Sequence, residues 1–213
     1  MSGEIIVRGR PIRCLAPVKN WTTTGMHFLA RFRTQPTRYV INHWTGSENS
    51  AADVFRNMSD RGVSVHFIVD QLGEVYQCAD TDARLAHCAE NGGNTYGVGI
   101  EIINRGHGKA PAKGFERVRR TESIHGVKTT YGEFFPAQIA AVIALNEALC
   151  SIYSLPLVLP LKDGDVWPGK LPAMVLSRHR GPAGHLHFDD DKPDPGLDLL
   201  RRIHRHGLGL GNV

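Results

Sequence analysis

The sequence predicts an α/β fold, a single domain with a central mixed β-sheet flanked by helices. Three observations predict it. Strand-like and helix-like segments alternate along the chain without internal repeats. The best strand candidates, Tyr39–His43 and Gly97–Ile103, are nearly unbroken apolar runs. The 213 residues, 41% apolar and 22% charged, fit one globular domain rather than a disordered or fibrous chain.

The elements follow in order. Residues 1–37 mix Arg, Pro, Gly and Thr with short apolar patches and read as an irregular N-terminal segment. The domain is expected over 38–206, with a tail at 207–213. Tyr39-Val40-Ile41-Asn42-His43 is β-rich and ends at Thr45-Gly46. Ser50 caps a helix with Asp53 three positions on, apolar Val54, Phe55 and Met58 on one side, and Gly62 at its stop. Val63–Val69 forms the next strand, and Gln71-Leu72-Gly73 turns it into a hairpin with Glu74–Cys78. Gly97–Ile103 is an apolar strand interrupted by Glu101. Residues 105–132 hold five Gly, many charges and little periodicity, and read as a surface insertion. Pro136 suits the first turn of a helix carrying Ile139, Val142, Ile143, Leu149 and Ile152, ended by Pro156 and Pro160. Residues 160–183 read as loop, and Leu197–His206 as a short helix.

Composition narrows the function. Net charge is +4, and the basic runs Arg117, Arg119, Arg120 and Arg201, Arg202, Arg205 are short. They read as solvated surface, so no nucleic-acid partner is expected. A metal-dependent nuclease, suggested by the basic balance and the histidines, lacks a basic stripe interleaved with aromatics. No run approaches the ~20 apolar residues of a membrane helix, so no membrane insertion is expected. The start, MSGEIIVRGRPIRC, lacks an apolar core of export-peptide length. Cys14, Cys78, Cys88 and Cys150 form no C-x-x-C pair and read as free, mostly buried thiols. Eleven histidines give a reason to search for metal or proton chemistry.

Three places carry such chemistry. His43 ends an apolar strand, where side chains project into a site at a sheet's edge. Glu101 sits inside a strand so apolar that an ionised carboxylate is costly there unless paired, metal-linked or poised for proton transfer; strict alternation also permits a solvated face. The segment Gly184-His185-Leu186-His187-Phe188-Asp189-Asp190-Asp191-Lys192-Pro193-Asp194-Pro195-Gly196 packs imidazoles, carboxylates and one lysine together. Two His and one Asp suit zinc with a fourth position open to water, although an acidic loop also suits plain surface or calcium.

Taken together, Val-Ile-Asn-His43-Trp-Thr-Gly, Ser64–Asp70 followed by Gly73, Gly97–Glu101, His185 and Lys192-Pro193-Asp194-Pro195-Gly196 fall in the order of one family. The chain resembles the zinc-dependent N-acetylmuramoyl-L-alanine amidases of the amidase-2 and peptidoglycan-recognition superfamily over residues 38–200. The Lys-x-Asp-Pro-Gly ending is the most specific part, and the N-terminal segment and the 105–132 insertion lie outside it. The resemblance implies one Zn2+ per chain in a cleft at one edge of the sheet, held by His43, His185 and Asp194. Glu101 is implied as general base and then acid, and Lys192 as the cation stabilising the tetrahedral oxyanion. An intact Glu and Lys argue for an enzyme over the alternative, a peptidoglycan-binding module without catalysis.

His179 competes with His185, because it too follows an apolar run, Ala173–Leu176. His185 lies nine residues before Asp194 and fits the family spacing; His179 needs an insertion. Family position also nominates His66 and His87 as cleft residues, although His66 suits a buried structural role equally. Trp44 and Asn94 complete the candidate substrate contacts. His187 reads as a neighbour of the site or as surface. Tyr39, Phe67 and Ile100 read as core, and His27, His107, His125, His204 and His206 as surface. The expected substrate is peptidoglycan or a muropeptide. Lacking an export peptide, a cytoplasmic recycling enzyme, a phage lysis enzyme and an injected effector all fit, and the sequence leaves oligomeric state open.

Overall fold

The computed structural model describes residues 3–14, 16–106 and 116–210. A hairpin, β1 (Gly3–Val7) and β2 (Arg10–Cys14), leads into β3 (Val18–Asn20) and one helical turn, α1 (Trp21–Thr24). Then come β4 (Tyr39–Trp44), α2 (Ala51–Asp60), β5 (Phe67–Val69), β6 (Val75–Gln77), α3 (Gly93–Tyr96) and β7 (Gly97–Ile102). A second hairpin, β8 (Arg119–Ile124) and β9 (Val127–Gly132), precedes the long helix α4 (Pro136–Ile152). The chain ends with β10 (Leu161–Lys162), β11 (Asp165–Val166), α5 (Ala173–Arg178), β12 (Gly181–Gly184) and α6 (Leu197–Gly207).

Six strands form the main sheet in the order β12-β4-β7-β5-β6-β3. The first four run parallel, and β6 turns antiparallel to β5 with β3 alongside it. The sheet is therefore mixed, as expected, and helices cover it. On one face Val40, Val98, Ile100 and Ile102 pack against Val142, Leu145 and Leu149 of α4 and Leu200 and Ile203 of α6. On the other, Ile68 meets Val54 and Met58 of α2, while Tyr39 and Ile41 meet Leu171, Leu176 and Phe188. Burial on both faces explains why β4 and β7 read as apolar runs rather than alternations.

The predicted caps are present. Ser50 Oγ accepts from the Asp53 amide at 3.2 Å, satisfying one of the free N–H groups that open α2. Pro136 opens α4, and Gln138 Oε1 accepts from the Phe135 amide at 3.1 Å. Behind His43, Asn42 and Asn146 exchange side-chain hydrogen bonds of 3.2 and 3.0 Å, joining β4 to α4 through a fully buried amide pair.

Four expectations differ from the fold. The N-terminal segment is not irregular: β3 joins the main sheet, and Gln77 grips both polar groups of the Ile6 backbone, accepting at 2.8 Å and donating at 2.9 Å. Within the 105–132 insertion, 119–132 form the β8–β9 hairpin. Residues 160–183 hold α5, which begins directly after Pro172, a pair of two-residue strands, and the first three residues of β12. The strand expected over 63–69 is hydrogen-bonded only at Phe67–Val69. All four cysteines are free and buried. No helix among the described residues is long and apolar enough to cross a membrane.

Candidate metal centre and its cleft

Strand register assembles the site. His43 on β4 stands directly opposite Glu101 on β7, so both side chains leave the same face at the carboxyl ends of neighbouring parallel strands. Gly184, the last residue of β12, pairs with Asn42. His185, one residue on, therefore emerges beside His43. Asp194 returns to the same point through the loop before α6, where its carbonyl accepts from the Leu186 amide at 3.0 Å.

His43, His185 and Asp194 converge, with one donor atom from each lying within 4.8 Å of the others. Asp194 Oδ2 is 3.1 Å from His185 Nδ1 and 3.4 Å from His43 Nδ1. The imidazole centroids of His43 and His185 are 4.5 Å apart. Burial, reinforced by the neighbouring His185, pushes His43 down to about 4, so its ring is neutral. Burial alone pushes the Asp194 carboxyl up, but hydrogen bonds to His185 and His43 outweigh it and hold the group well below the usual carboxylate range. A neutral imidazole and an ionised carboxylate are the protonation states a metal requires of its ligands. Two nitrogens and one oxygen fit zinc, with a further position left for water.

Glu101 lies on the floor of the same cleft. Burial, with the Asp194 charge adding to it, pushes its carboxyl up to about 8, against the opposing pull of Arg61. Lys192 is exposed on the loop before Asp194 and lines the cleft near His185. His187 and His179 stand apart from the converging donors. His187 is fully buried, accepts from the Gly184 amide at 3.1 Å and donates to the Trp167 carbonyl at 2.9 Å. His179 donates to the Pro182 carbonyl at 2.9 Å. The run before His179 is the helix α5, whereas His185 follows the strand β12.

The four candidate contacts divide. Trp44 lines the cleft mouth, its ring centred 5.1 Å from that of Tyr131. His87 lines the floor and meets His43, with His87 Nδ1 3.1 Å from His43 Nε2. His43 Nδ1 faces Asp194 and Nε2 faces His87; with Nδ1 given to a metal, the ring proton would sit on Nε2 and point to His87, the kind of support that orients metal-binding histidines. His66 is not placed for substrate: it is fully buried, Nδ1 accepts from the Gly99 amide at 2.9 Å, and Nε2 donates to the Ala83 carbonyl at 3.0 Å. Asn94 is not a cleft contact either. Its Oδ1 accepts from the amides of His87 and Cys88 at 2.9 and 2.6 Å, fixing the loop that carries His87.

Sequence reasoning missed the opposite wall, where Asn57, Met58 and Arg61 at the end of α2 line the cleft with Arg105. The periodicity of α2 points Met58 at the core, and nothing local separates its cleft-facing turn from a solvated helix end. Of the histidines read as surface, His27 is exposed and stacks on Trp21 with ring centroids 4.5 Å apart. His125 is partly buried and contacts the Lys192 loop. His107 lies outside the described residues.

A mixed sheet that gathers two imidazoles and two carboxylates at one cleft offers a donor set that could hold a divalent metal. The chain belongs to the N-acetylmuramoyl-L-alanine amidase family Amidase_2, whose sequence profile matches residues 33–197. Solved structures share the fold. AmiD from E. coli, solved as a complex with anhydro-N-acetylmuramic acid-L-Ala-D-gamma-Glu-L-Lys, is 18% identical with a TM-score of 0.50, over 95% of this chain and 66% of AmiD. LysC from Clostridium intestinale URNW is 14% identical with a TM-score of 0.54, over 91% of this chain and 98% of LysC. AmpDH3 from Pseudomonas aeruginosa is 16% identical with a TM-score of 0.53, over 85% of this chain and 64% of AmpDH3. The chain thus spans about two thirds of the length of AmiD and of AmpDH3. No curated protein matches the sequence.

Proposed function

We propose that the chain is a zinc-dependent hydrolase that cleaves the amide between the lactyl group of N-acetylmuramic acid and L-alanine in peptidoglycan or its fragments. The observation that carries this reading is the convergence of His43, His185 and Asp194 on one point beside Glu101. Family membership supplies the bond that is cut. His43, His185 and Asp194 hold the zinc. When bound, zinc polarises the scissile carbonyl and acidifies water at neutral pH.

The remaining work falls to the chain's own groups. Glu101 accepts a proton from the attacking water as the C–O bond forms. It then delivers that proton to the alanine nitrogen as the C–N bond breaks, releasing the lactyl carboxylate and a free amine. A carboxyl raised by burial is suited to both halves of this exchange near neutral pH. Lys192, at the mouth of the cleft, supplies the ammonium that stabilises the oxyanion as it develops. His87 keeps His43 in the tautomer that presents Nδ1.

Dye release from labelled sacculi, with and without a chelator, tests the reading, together with mass spectrometry of soluble muropeptide products. Release that stops on chelation and returns with zinc, yielding free L-alanine amino termini, is the expected result. Undiminished cleavage after metal stripping overturns the zinc assignment. Binding to sacculi without release favours a non-catalytic recognition module.

A further inference from the structure

We propose that the β8–β9 hairpin is the positioning element for the catalytic loop, gripping it on both sides of Asp194. The inference rests on the roles just assigned to Lys192 and Asp194. The loop carries both residues within three positions, and within itself it makes short turn contacts, from the Lys192 amide to the Asp189 carbonyl at 3.4 Å, from the Asp191 amide to Asp189 Oδ1 at 2.9 Å and from the Gly196 amide to the Pro193 carbonyl at 3.0 Å. Asp194 is also tied to Leu186 and His185, and Lys170 reaches Asp190, but none of these contacts is made to Lys192, whose backbone needs a hold of its own against the motions open to a surface loop.

The first grip is at the hairpin tip. His125 and Gly126 occupy the two turn positions with φ of +53° and +77°, a mirror-image turn that projects the imidazole sideways. His125 Nδ1 accepts from the Lys170 amide at 3.4 Å, which leaves the proton on Nε2. Nε2 donates to the Lys192 carbonyl at 3.1 Å. The His125 amide itself donates to the Pro168 carbonyl at 2.8 Å. One side chain thus joins the hairpin, the 168–170 segment and the backbone of Lys192.

The second grip is at the start of α6. Gly196 caps this helix without a side chain, so its first amides have no local acceptor. Glu122, reaching from β8, takes that role. Its Oε2 accepts from the Leu197 amide at 2.7 Å and the Asp198 amide at 3.4 Å, and Arg201 pairs with Oε1 at 2.7 Å. The Tyr131 hydroxyl donates to the same carboxylate. A Cβ at residue 196 would lie 2.4 Å from that ring, so glycine lets the loop lie flat on Tyr131. The same ring packs on Trp44, next to His43. Lys192 and Leu197 are therefore both tied to the hairpin, and Asp194 is held between them.

The test uses the full chain. His125→Gly suits the positive φ and removes the donor, and His125→Asn restores both a donor and tolerance of that φ. Glu122→Ala removes the cap, and Ser123→Ala, on the exposed face of the same hairpin, is the control. Hydrogen exchange of amides 189–198 is measured on metal-free protein, zinc affinity by competition with a chromophoric chelator, and kcat and KM on a soluble muropeptide. His125→Gly is expected to speed exchange and lower kcat by about tenfold with KM within about twofold, and His125→Asn to recover it. Glu122→Ala is expected to weaken zinc by about tenfold. Unchanged exchange in His125→Gly, or faster exchange with unchanged kcat and zinc affinity in both variants, overturns the proposal. If Glu122→Ala does not fold, His125→Gly at the turn tip decides. If the wild type neither binds zinc nor cleaves the amide, the functional reading fails, and the exchange pattern alone still decides whether the hairpin holds the loop.

Discussion

Gly99→Ala tests the support of the metal centre without touching a ligand. A Cβ at position 99 would lie 2.7 Å from His87 Nδ1, 2.8 Å from Cγ and 3.0 Å from Cε1. These are atoms of a rigid ring, and the Asn94 side chain clamps the backbone that carries it. The ring therefore cannot yield by a rotamer change alone, and overpacking of this kind costs about 1–3 kcal/mol. Displacing His87 also removes the hydrogen-bond partner 3.1 Å from His43 Nε2. Loss of such an outer partner weakens metal binding about 10–100-fold, or about 1.4–2.7 kcal/mol. The assay is chelator competition and urea unfolding of Gly99→Ala, His87→Ala and the double variant. In the His87→Ala background the new methyl enters vacated space, so the two changes should be non-additive by about 1–3 kcal/mol. Strict additivity, or a Gly99→Ala protein with wild-type zinc affinity and stability, would refute the reasoning.

Other outcomes follow from the same geometry. Glu101→Gln should keep zinc and lose turnover by a factor of 100 or more, since it retains shape but cannot accept and return a proton, whereas Asp194→Ala should lose both; metal analysis with kinetics checks the pair. Burial pushes the two internal histidines His66 and His187 down to about 3 from an ordinary 6.5. The unfolded chain thus binds protons that the native state refuses, so stability falls as pH drops below 6.5, by about 2 kcal/mol for each at pH 5. A urea midpoint independent of pH between 7 and 5 would contradict this. Asn42→Ala leaves the buried Asn146 Oδ1 without its donor, although Asn146 Nδ2 keeps the Val142 carbonyl, and should cost about 1–3 kcal/mol by urea unfolding, while replacing both partners with apolar residues should recover much of it.

The legible parts of the chain were those where a local pattern and its tertiary role coincide. β4 and β7 stand out because both faces are covered, and against such apolar runs His43 and Glu101 are conspicuous. Ser50 and Pro136 mark helix starts because capping is a matter of a few adjacent residues. The hairpin β8–β9 was hidden because its alternation sets Arg120 and Glu122 inward, where they find charged partners rather than apolar ones. Its turn places His125 in a conformation usually signalled by Asn or Gly. β2 was hidden for a related reason: Arg10, Pro11, Ile12 and Arg13 are all exposed, and the hairpin is anchored by Gln77, 71 residues away from Ile6. His66 and Asn94 hold local backbone geometry, and family position alone does not separate that task from substrate contact.

Because His43 and Glu101 are cross-strand partners, their separation is governed by the spacing between hydrogen-bonded strands, about 4.8 Å. The facing wall, by contrast, comes from the last turn of α2, with Asn57 and Arg61 borne on a helix that contributes no reacting group. Exchanging Asn57 there leaves the cross-strand pairing of His43 and Glu101 in register, whereas Arg61, whose charge opposes the rise of the Glu101 carboxyl, ties that wall to the strand-borne carboxylate.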